Sequence, residues 1–344
     1  MRLCRNLTII CSLDVHFRTI VLLMAIGCFF LGGATMAQPV ISSTRIWNKA
    51  PHNAFTSLIE YQGNLYCAFR EGLSHVNKAG GDDGRIRILK SKDGNQWKSV
   101  GLLYQKGLDF RDPFLSITKS GELMVSFGGV KYHPGQTTVY HTYATIFKRG
   151  RLLPIYQLNT RLKRDWLWRI RWYEGKAYSF NYLSGFRLMK SDDGKLFDTV
   201  KRFSIPLTPS EADFVIKDNH VFVVLRRNDT DICLLGFGSL DGNIKWKESP
   251  LTFYGPNLLQ LMDGKVVLFA KTLNKFSKQK ELGVYQYINN SFIQIASFPF
   301  RGDGGYCGSI ERRDSIYVTY YSSHINKQSA VYLAVIPKSY ILNK

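Results

Sequence analysis

The sequence is poor in cysteine. It has 6 Cys in 344 residues, and half of them lie near the N-terminus: Cys4, Cys11 and Cys28. The other three cysteines are Cys67, Cys233 and Cys307. Because they are odd in number and widely spaced, they exclude the disulfide framework of a small secreted scaffold. Because no Cys-x-x-Cys or His-x-x-x-His pair occurs, the usual sequence patterns of a zinc site are also absent. We therefore expect the three cysteines to be small buried hydrophobic residues, and we expect no metal or other cofactor.

Acidic residues are also few. There are 26 Asp+Glu against 46 Lys+Arg, which gives a formal net charge of +20. This excess of base predicts an acidic partner: nucleic acid, a membrane surface or an anionic substrate. With 45% hydrophobic and 14% aromatic residues the chain is too apolar for intrinsic disorder, and its aromatic content and frequent glycine-containing turns favour β-structure.

The N-terminus has a short uncharged apolar run, Thr19 to Leu31, preceded by three arginines (Arg2, Arg5 and Arg18) and followed by small residues up to Ala37. This order predicts a secretory signal peptide over residues 1–37, since the run is too short for a stable transmembrane helix. A buried N-terminal helix is the alternative. Lipid attachment at Cys28 is disfavoured because the apolar run continues past it. We expect a secreted or periplasmic protein.

Removal of residues 1–37 takes away three Arg and one Asp, which leaves 20 − 2 = +18 on residues 38–344. Export disfavours nucleic acid as the partner, and no retained segment is suited to stable membrane insertion. The oligomeric state is left open.

One local pattern recurs six times: a short apolar run, a turn at Gly, Asp or Asn, and a second apolar, aromatic-rich run. The turns lie at Gly63, Gly121, Gly175, Asn219, Gly264 and Asp314. Each copy predicts a β-hairpin, and the residues between copies suffice for two more strands. Such a period predicts radial repetition of one unit, so residues 38–344 are expected to form a single all-β domain, a six-bladed β-propeller with four-stranded antiparallel blades.

Three Ser-x-Asp-Gly turns followed by an aromatic residue recur in register with the blades. They are Ser91 to Gly94 with Trp97, Ser191 to Gly194 with Phe197, and Ser239 to Gly242 with Trp246. We expect each Asp to accept backbone N–H bonds across its turn, each Gly to adopt a positive φ, and the aromatic ring to pack over neighbouring strands. These aspartates are therefore predicted to be structural.

The hairpin geometry gathers the remaining polar residues at one end. In each hairpin the start of the first strand and the end of the second lie opposite the turn. Six blades are thus expected to bring together His52, Asn53, Arg70, Glu71, Arg111, Asp112, Arg169, Glu211, Arg226, Arg227, Asn257, Lys271, Asp303, Tyr306 and His324, with His75 and Asp83 from the loop after Arg70. Arginine forks bind carboxylate or sulfate, and a carboxylic acid can protonate a leaving oxygen, so this face predicts an anionic-sugar site. The alternative is that these residues cap strand ends and pair with one another.

These residues resemble a known group, the bacterial sialidase-like propellers, whose Ser-x-Asp-Gly-x-x-Trp turns are called Asp boxes or BNR repeats. The chain is most similar to a secreted subgroup labelled exo-α-sialidase-like. The phrases that carry the resemblance are His52-Asn53-Ala54-Phe55-Thr56, Phe69-Arg70-Glu71-Gly72 with His75, Asp109-x-Arg111-Asp112, Trp166-x-Trp168-Arg169, Arg226-Arg227, Gly255-Pro256-Asn257 and Tyr320-Tyr321-Ser322-Ser323-His324.

The resemblance implies a retaining mechanism with a tyrosine nucleophile, an exception to the two-carboxylate rule. Tyr306 stands in the place of the nucleophile and Glu211 in that of its partner. Asp83, or alternatively Asp112, stands as the acid/base.

The resemblance also implies a modified anion clamp. Arg227 follows Glu211 at the spacing of the second clamp arginine, but Asn53 and Lys271 stand where the first and third would be. Lys lacks the bidentate fork of Arg, so sialic acid itself is a doubtful substrate. In the leading hypothesis Arg70, Arg227 and Lys271 hold the anion. The alternative is a clamp of Arg70, Arg111 and Arg169 shifted for another acidic sugar, and His75, Asn257 and His324 are further expected contacts.

Three functions follow as hypotheses. The leading one is a glycoside hydrolase that acts on an acidic or substituted glycan terminus. A glycan-binding propeller without turnover is the second. The third is a polysaccharide lyase in which His75 or Tyr306 removes the proton α to a uronate carboxylate.

Overall fold

The six predicted turns each join two antiparallel strands. The computed structural model of the chain describes residues 39–76, 83–132, 138–206, 208–228, 230, 232–273 and 279–342. In the first hairpin β2 (His52–Tyr61) pairs with β3 (Asn64–Gly72), and Gly63 takes φ +68 in the tight turn between them. The predicted signal peptide and the lipid-attachment residue Cys28 lie outside the described residues.

The strands form six antiparallel sheets, so the predicted fold is confirmed. Blade 1 continues from β2 and β3 with β4 (Arg85–Ser91) and β5 (Lys98–Leu103). Blade 2 has β6 (Asp109–Ile117), β7 (Leu123–Lys131), β8 (Val139–Lys148), β9 (Arg151–Leu152) and β10 (Tyr156–Gln157). Blade 3 has β11 (Leu167–Tyr173), β12 (Lys176–Asn181), β13 (Arg187–Ser191) and β14 (Asp198–Arg202). Blade 4 has β15 (Pro209–Lys217), β16 (His220–Arg227), β17 (Leu234–Ser239) and β18 (Ile244–Glu248). Blade 5 has β19 (Tyr254–Gln260), β20 (Val266–Leu273), β21 (Lys280–Ile288) and β22 (Ser291–Phe298). Blade 6 has β23 (Gly305–Arg312), β24 (Ser315–Ser322), β25 (Ala330–Pro337) and β1 (Ser43–Trp47).

The sixth blade takes its outer strand from the N-terminal part of the described chain. Strand β1 pairs antiparallel with β25, with Thr44 opposite Leu333. The Trp47 indole N–H then donates to Glu71 of the first blade at 2.7 Å. Strand β1 therefore completes the last blade with a segment from the start of the described chain and contacts the first blade, which closes the ring.

The hydrophobic core lies between neighbouring blades. Between blades 3 and 4, for example, Phe180, Leu188, Phe214 and Val223 are fully buried in one cluster. The three cysteines, Cys67, Cys233 and Cys307, are buried and free, as predicted. Within the described residues, no helix is long and apolar enough to span a membrane.

The Ser-x-Asp-Gly turns follow the third strands of blades 1, 3 and 4. In blade 3 the Ser191 hydroxyl accepts from the Gly194 N–H at 2.8 Å, and Asp193 Oδ1 accepts from the N–H groups of Lys195 and Leu196 at 2.7 and 2.9 Å. Gly194 has φ +73. These contacts agree with the structural role expected for the aspartates of these turns.

Candidate functional site

A β-bulge in the innermost strand of every blade shapes the mouth of the central channel. The hairpin register shifts near the start of β2, β6, β11, β15, β19 and β23. In five of these strands the first bulged residue has a positive φ: Phe55, Asp112, Arg169, Gly255 and Tyr306. In β15 the shift brackets Ser210 and Glu211. Bulges of this kind re-aim side chains, and left-handed backbone at non-glycine residues is typical of functional sites.

Tyr306 and Glu211 meet across the channel mouth. The Tyr306 hydroxyl donates to Glu211 Oε1 at 2.6 Å, the proximity expected from the sequence. Arg226 Nη1 donates to the same oxygen at 2.9 Å. Burial, and then the negative charge of Glu211, raise the pKa of Tyr306 well above its usual value. The phenol is therefore neutral at rest, and Glu211 is placed to take its proton.

Gly255 helps to position Glu211 and Tyr306. Its backbone N–H donates to Glu211 Oε2 at 2.9 Å, so both carboxylate oxygens of Glu211 are held. A Cβ on Gly255 would lie 3.0 Å from the Tyr306 ring, and the residue has φ +58. Glycine is therefore favoured here, because it adopts this backbone conformation without strain and leaves the space that the Tyr306 ring occupies.

Asp112 lies beside Tyr306. The two residues line one small cavity together with Phe55, Trp168 and Arg169. Burial raises the pKa of Asp112 to about 6; Arg111 acts in the opposite direction and Glu211 adds to the rise. A carboxyl group with this pKa is protonated in a useful fraction of molecules near pH 6, which suits a general acid.

The enclosed cavity itself is small. Its volume is about 20 Å³, enough for roughly one water molecule. Tyr306 is nevertheless partly exposed, so a sugar ring would have to approach from the open mouth. Aromatic rings flank this approach, with Phe55 centred 5.1 Å and Trp168 6.0 Å from the Tyr306 ring.

A buried polar network forms the floor. Arg169 is 6% exposed, and its Nη2 donates to the Cys307 carbonyl at 3.1 Å. Its Nε lies 3.5 Å from Asp213, which also binds Arg171 at 2.9 Å. Arg171 also lines a separate, larger cavity of about 560 Å³, together with apolar side chains such as Ile117 and Leu261. The site therefore has a fixed, charged base.

Three further cationic groups surround the mouth. The Arg111 guanidinium lies 5.1 Å from the centre of the Phe55 ring. Arg226, bound to Glu211, lies 4.9 Å from the Tyr254 ring. Lys271 lies 5.9 Å from the same ring, donates to the Gly304 carbonyl at 3.2 Å, and has its pKa lowered by burial. These cations lie where an anionic substituent could reach them.

The remaining predicted residue in this region, His75, lies at the rim. Its Nδ1 is 2.8 Å from Asp303 Oδ2, and His52 Nε2 reaches the same oxygen at 2.8 Å. The Phe55 ring is 5.2 Å from the His75 ring, so one aromatic ring separates His75 from Tyr306.

Three of the predicted site residues lie in or next to blade 1 and make structural hydrogen bonds there instead. Asp83 accepts the Gly107 N–H at 2.9 Å and lines an outer pocket with Tyr104, away from the cavity that Asp112 lines. Arg70 is 0% exposed and is held by Asp109 at 2.8 Å. Asn53, also 0% exposed, donates to the Ala50 and Ser329 carbonyls. The polar groups of these three residues form hydrogen bonds that stabilise loops, so the residues are not placed to contact a substrate at Tyr306.

Three others also lie elsewhere. Arg227 donates to the Ile232 carbonyl at 2.9 Å and pairs with Glu248. Asn257 lies in the buried network rather than at the mouth, because its Nδ2 donates to Asp213 Oδ2 at 3.4 Å and its Oδ1 accepts from Ser309 at 2.6 Å. The His324 ring packs 4.4 Å from the Tyr332 ring.

The sequence places Arg226 on the channel face and Phe55 and Trp168 in the resembling phrases, but it predicts no specific role for any of the three. Arg226 rather than Arg227 contacts Glu211, and Phe55 and Trp168 flank Tyr306. Alternation along β16 shows that Arg226 and Arg227 face opposite sides, but it does not show which one reaches the channel. That depends on the bulge in β15, for which the sequence carries no clear signal.

Comparison with known proteins gives the fold and little else. The sequence matches no protein-family model and no curated protein. Among solved structures, a Dyadobacter fermentans protein of unknown function is 17% identical with a TM-score of 0.69, over 88% of this chain and 98% of that one. Penicillium chrysogenum α-L-arabinanase, complexed with arabinobiose, is 12% identical with a TM-score of 0.63, over 88% and 99%.

Trypanosoma rangeli sialidase, in complex with the inhibitor DANA, is 10% identical with a TM-score of 0.61. The similarity covers 87% of this chain and 58% of the sialidase, so the chain spans little more than half of that enzyme's length. The chain thus has a six-bladed propeller fold that is shared, at low identity, with sialidase and arabinanase glycoside hydrolases.

Proposed function

We propose that the protein is a glycoside hydrolase that acts on an acidic glycan terminus. The observation that carries this proposal is the 2.6 Å hydrogen bond from Tyr306 Oη to Glu211 Oε1 at the channel mouth. A tyrosine paired with a carboxylate base is the nucleophile arrangement of sialidases, and the fold is one on which sialidase and arabinanase chemistry occurs.

Three residues carry the reaction. Tyr306 Oη attacks the anomeric carbon while Glu211 takes the phenolic proton, and the glycosidic bond breaks as Asp112 protonates the leaving oxygen. In the second half Asp112, now ionised, removes a proton from water, and that water displaces Tyr306, which recovers its proton from Glu211. Two displacements give net retention. We assign the acid/base to Asp112 rather than to Asp83 because Asp112 shares a cavity with Tyr306.

The neutral nucleophile supports an acidic substrate. A carboxylate nucleophile is repelled by a negative group next to the anomeric carbon, whereas a phenol becomes charged only as it loses its proton. The basic side chains at the mouth attract the negative group of such a substrate. Arg111 and Arg226 offer planar forks for a carboxylate or sulfate, and Lys271 adds a point charge.

The test is to incubate the purified full chain with sialylated, uronate-containing and sulfated glycans and to read the products by mass. We expect release of one acidic sugar. Tyr306→Phe and Glu211→Gln should each lower kcat at least 100-fold while glycan binding persists. Tyr332→Phe is the matched control in the same blade, because the buried Tyr332 hydroxyl has no partner among the described residues.

Two outcomes would replace this proposal. Glycan binding without products, unchanged by Tyr306→Phe, indicates a glycan-binding propeller. Products that absorb as unsaturated uronates indicate a lyase.

A further inference from the structure

Three groups with metal-ligand chemistry converge at the rim of the channel, outside the Tyr306–Glu211 pair. His52 begins β2, His75 lies in the loop after β3, and Asp303 precedes β23. One ligand atom from each residue lies within 4.8 Å of the other two. The residues are far apart in the chain and meet because ring closure sets blade 1 beside blade 6.

We propose that His52, His75 and Asp303 bind one divalent transition-metal ion such as Zn²⁺. The ligands are His52 Nε2, His75 Nδ1 and Asp303 Oδ2. Two imidazoles and one carboxylate suit Zn²⁺, Co²⁺ or Ni²⁺, and such a set leaves coordination positions open. Metal bonds of about 2.0–2.1 Å place ligand atoms roughly 2.9–3.4 Å apart. Both N···O distances here are 2.8 Å, a few tenths of an ångström below this range, and all three ligand atoms lie within 4.8 Å of one another, so small side-chain movements would admit an ion.

The surroundings orient these ligands. The Tyr321 hydroxyl donates to the second carboxylate oxygen of Asp303 at 3.1 Å, which fixes the carboxylate as an outer hydrogen bond does in metal sites. His52 is 7% exposed and packs edge-on against Phe55 and Tyr321. The His75 and Asp303 side chains are 45% and 36% exposed, which gives an ion access from solvent.

Two features limit the affinity. Ligation through Nε2 leaves the His52 proton on Nδ1, a buried atom with no hydrogen-bond partner among the described residues. The positive charges of Arg70 and Lys271 also act on His52 and on Asp303. We therefore expect micromolar rather than nanomolar affinity. A bound ion would add positive charge one aromatic ring away from Tyr306.

The test is calorimetric titration of the full chain, treated with EDTA and carrying no affinity tag, with Zn²⁺ and separately with Co²⁺. We expect one equivalent to bind, and Co²⁺ to give visible d–d bands that Zn²⁺ abolishes. His75→Ala should weaken binding at least tenfold and should fold normally, because His75 is half-exposed. This readout does not depend on glycoside hydrolysis, so it can fail or succeed independently of the proposed function.

His141→Ala is the matched control. His141 also pairs with a carboxylate, Asp165 at 3.0 Å, but belongs to no group of three ligands among the described residues. Its loss should leave the titration unchanged. Absence of binding at 1 mM Zn²⁺ and Co²⁺, or equal binding by His75→Ala and the unmodified chain, overturns the proposal.

Discussion

At the scale of single residues, the site is built from side chains whose neighbours decide their chemistry. Asp112 and Glu211 are both carboxylates at the channel mouth. Glu211 is held by three donors, Tyr306, Arg226 and Gly255, whereas burial raises the pKa of Asp112 to about 6. In the proposed mechanism these two environments give the carboxylates different roles, Asp112 as the acid and Glu211 as the base.

The raised pKa of Asp112 predicts a pH-dependent cost to stability. The folded chain binds this proton more tightly than the unfolded chain, whose Asp has a pKa of about 3.8. The stabilisation that the folded chain gains by binding this proton is therefore fully present below about pH 3.8. It is lost as the pH rises through about 6, where folded Asp112 ionises. Asp112→Asn should raise the free energy of unfolding at pH 7.5 by up to ~3 kcal/mol, and this gain should vanish near pH 4.

Urea unfolding at several pH values measures this effect. Asp314→Asn, an exposed change in the turn between β23 and β24, serves as the control and should show no such trend. A gain that is constant from pH 4 to pH 7.5 would show that Asp112 is not the titrating group.

The sequence predicts these residues only in part. It predicts the pairing of Tyr306 with Glu211, but it also places Arg70 and Asn53 at the site, and both are enclosed in blade 1. Both lie at the predicted end of a hairpin. Proximity to the channel end does not determine side-chain direction, because adjacent residues of a strand face opposite sides.

At the scale of elements, the hairpins are predictable from the sequence and the bulges are not. Turn chemistry at Gly63 and Gly175 marks the hairpins directly. A bulge adds one residue without a characteristic sequence, and it occurs here at Phe55, Arg169 and Tyr306, residues that do not favour positive φ. The fold therefore follows from the local sequence, whereas the site depends on how the ring constrains each inner strand.

Gly255→Ala tests the role of the bulge in blade 5. Strain at φ +58 and contact of the new Cβ with the Tyr306 ring should together cost about 2–4 kcal/mol of unfolding free energy. Gly175→Ala is the control, since Gly175 has φ +75 and a Cβ added there would meet nothing within 4 Å, and it should cost only ~1 kcal/mol.

A double mutant separates the cost of backbone strain at Gly255 from the cost of the contact with the Tyr306 ring. In a Tyr306→Ala background the ring contact is gone, so Gly255→Ala should cost no more than the Gly175 control. If its cost is unchanged in that background, Gly255 does not act by making room for Tyr306.

The Ser-x-Asp-Gly turns give a second prediction at this scale. Asp193→Ala removes the acceptor for the Lys195 and Leu196 N–H groups and should lower Tm by a few degrees. The adjacent Asp192 is the control, and Asp192→Ala should leave Tm within about 1 °C because its side chain takes no part in the hydrogen bonds of the turn. Glycan binding and any turnover should be unaffected in both variants. Equal Tm values for the two variants would remove the structural role assigned to this turn.

At the scale of the whole molecule, ring closure creates neighbours that no local pattern reveals. The absence of closely spaced His or Cys pairs in the sequence argues against a metal site, yet His52 and Asp303 meet because blade 6 lies beside blade 1. The same closure brings Thr56 to the backbone of Tyr306, since its hydroxyl donates to the Tyr306 carbonyl at 2.9 Å. Strand β1 adds to this contact between the two blades, since it pairs with β25 of blade 6 and its Trp47 donates to Glu71 of blade 1.

A chain that begins at Ala50 should be less stable than one that begins at Pro39. It lacks β1 with its pairing to β25, and it loses the burial of Ile41 and Trp47. Burial of two such residues is worth about 3–6 kcal/mol, so urea unfolding should shift to a lower midpoint. A synthetic peptide of residues 39–49, added in excess, should restore the midpoint, because it can pair with β25 as β1 does; a scrambled peptide should not. An unchanged midpoint in the shorter chain, or equal rescue by both peptides, would show that β1 does not close the ring.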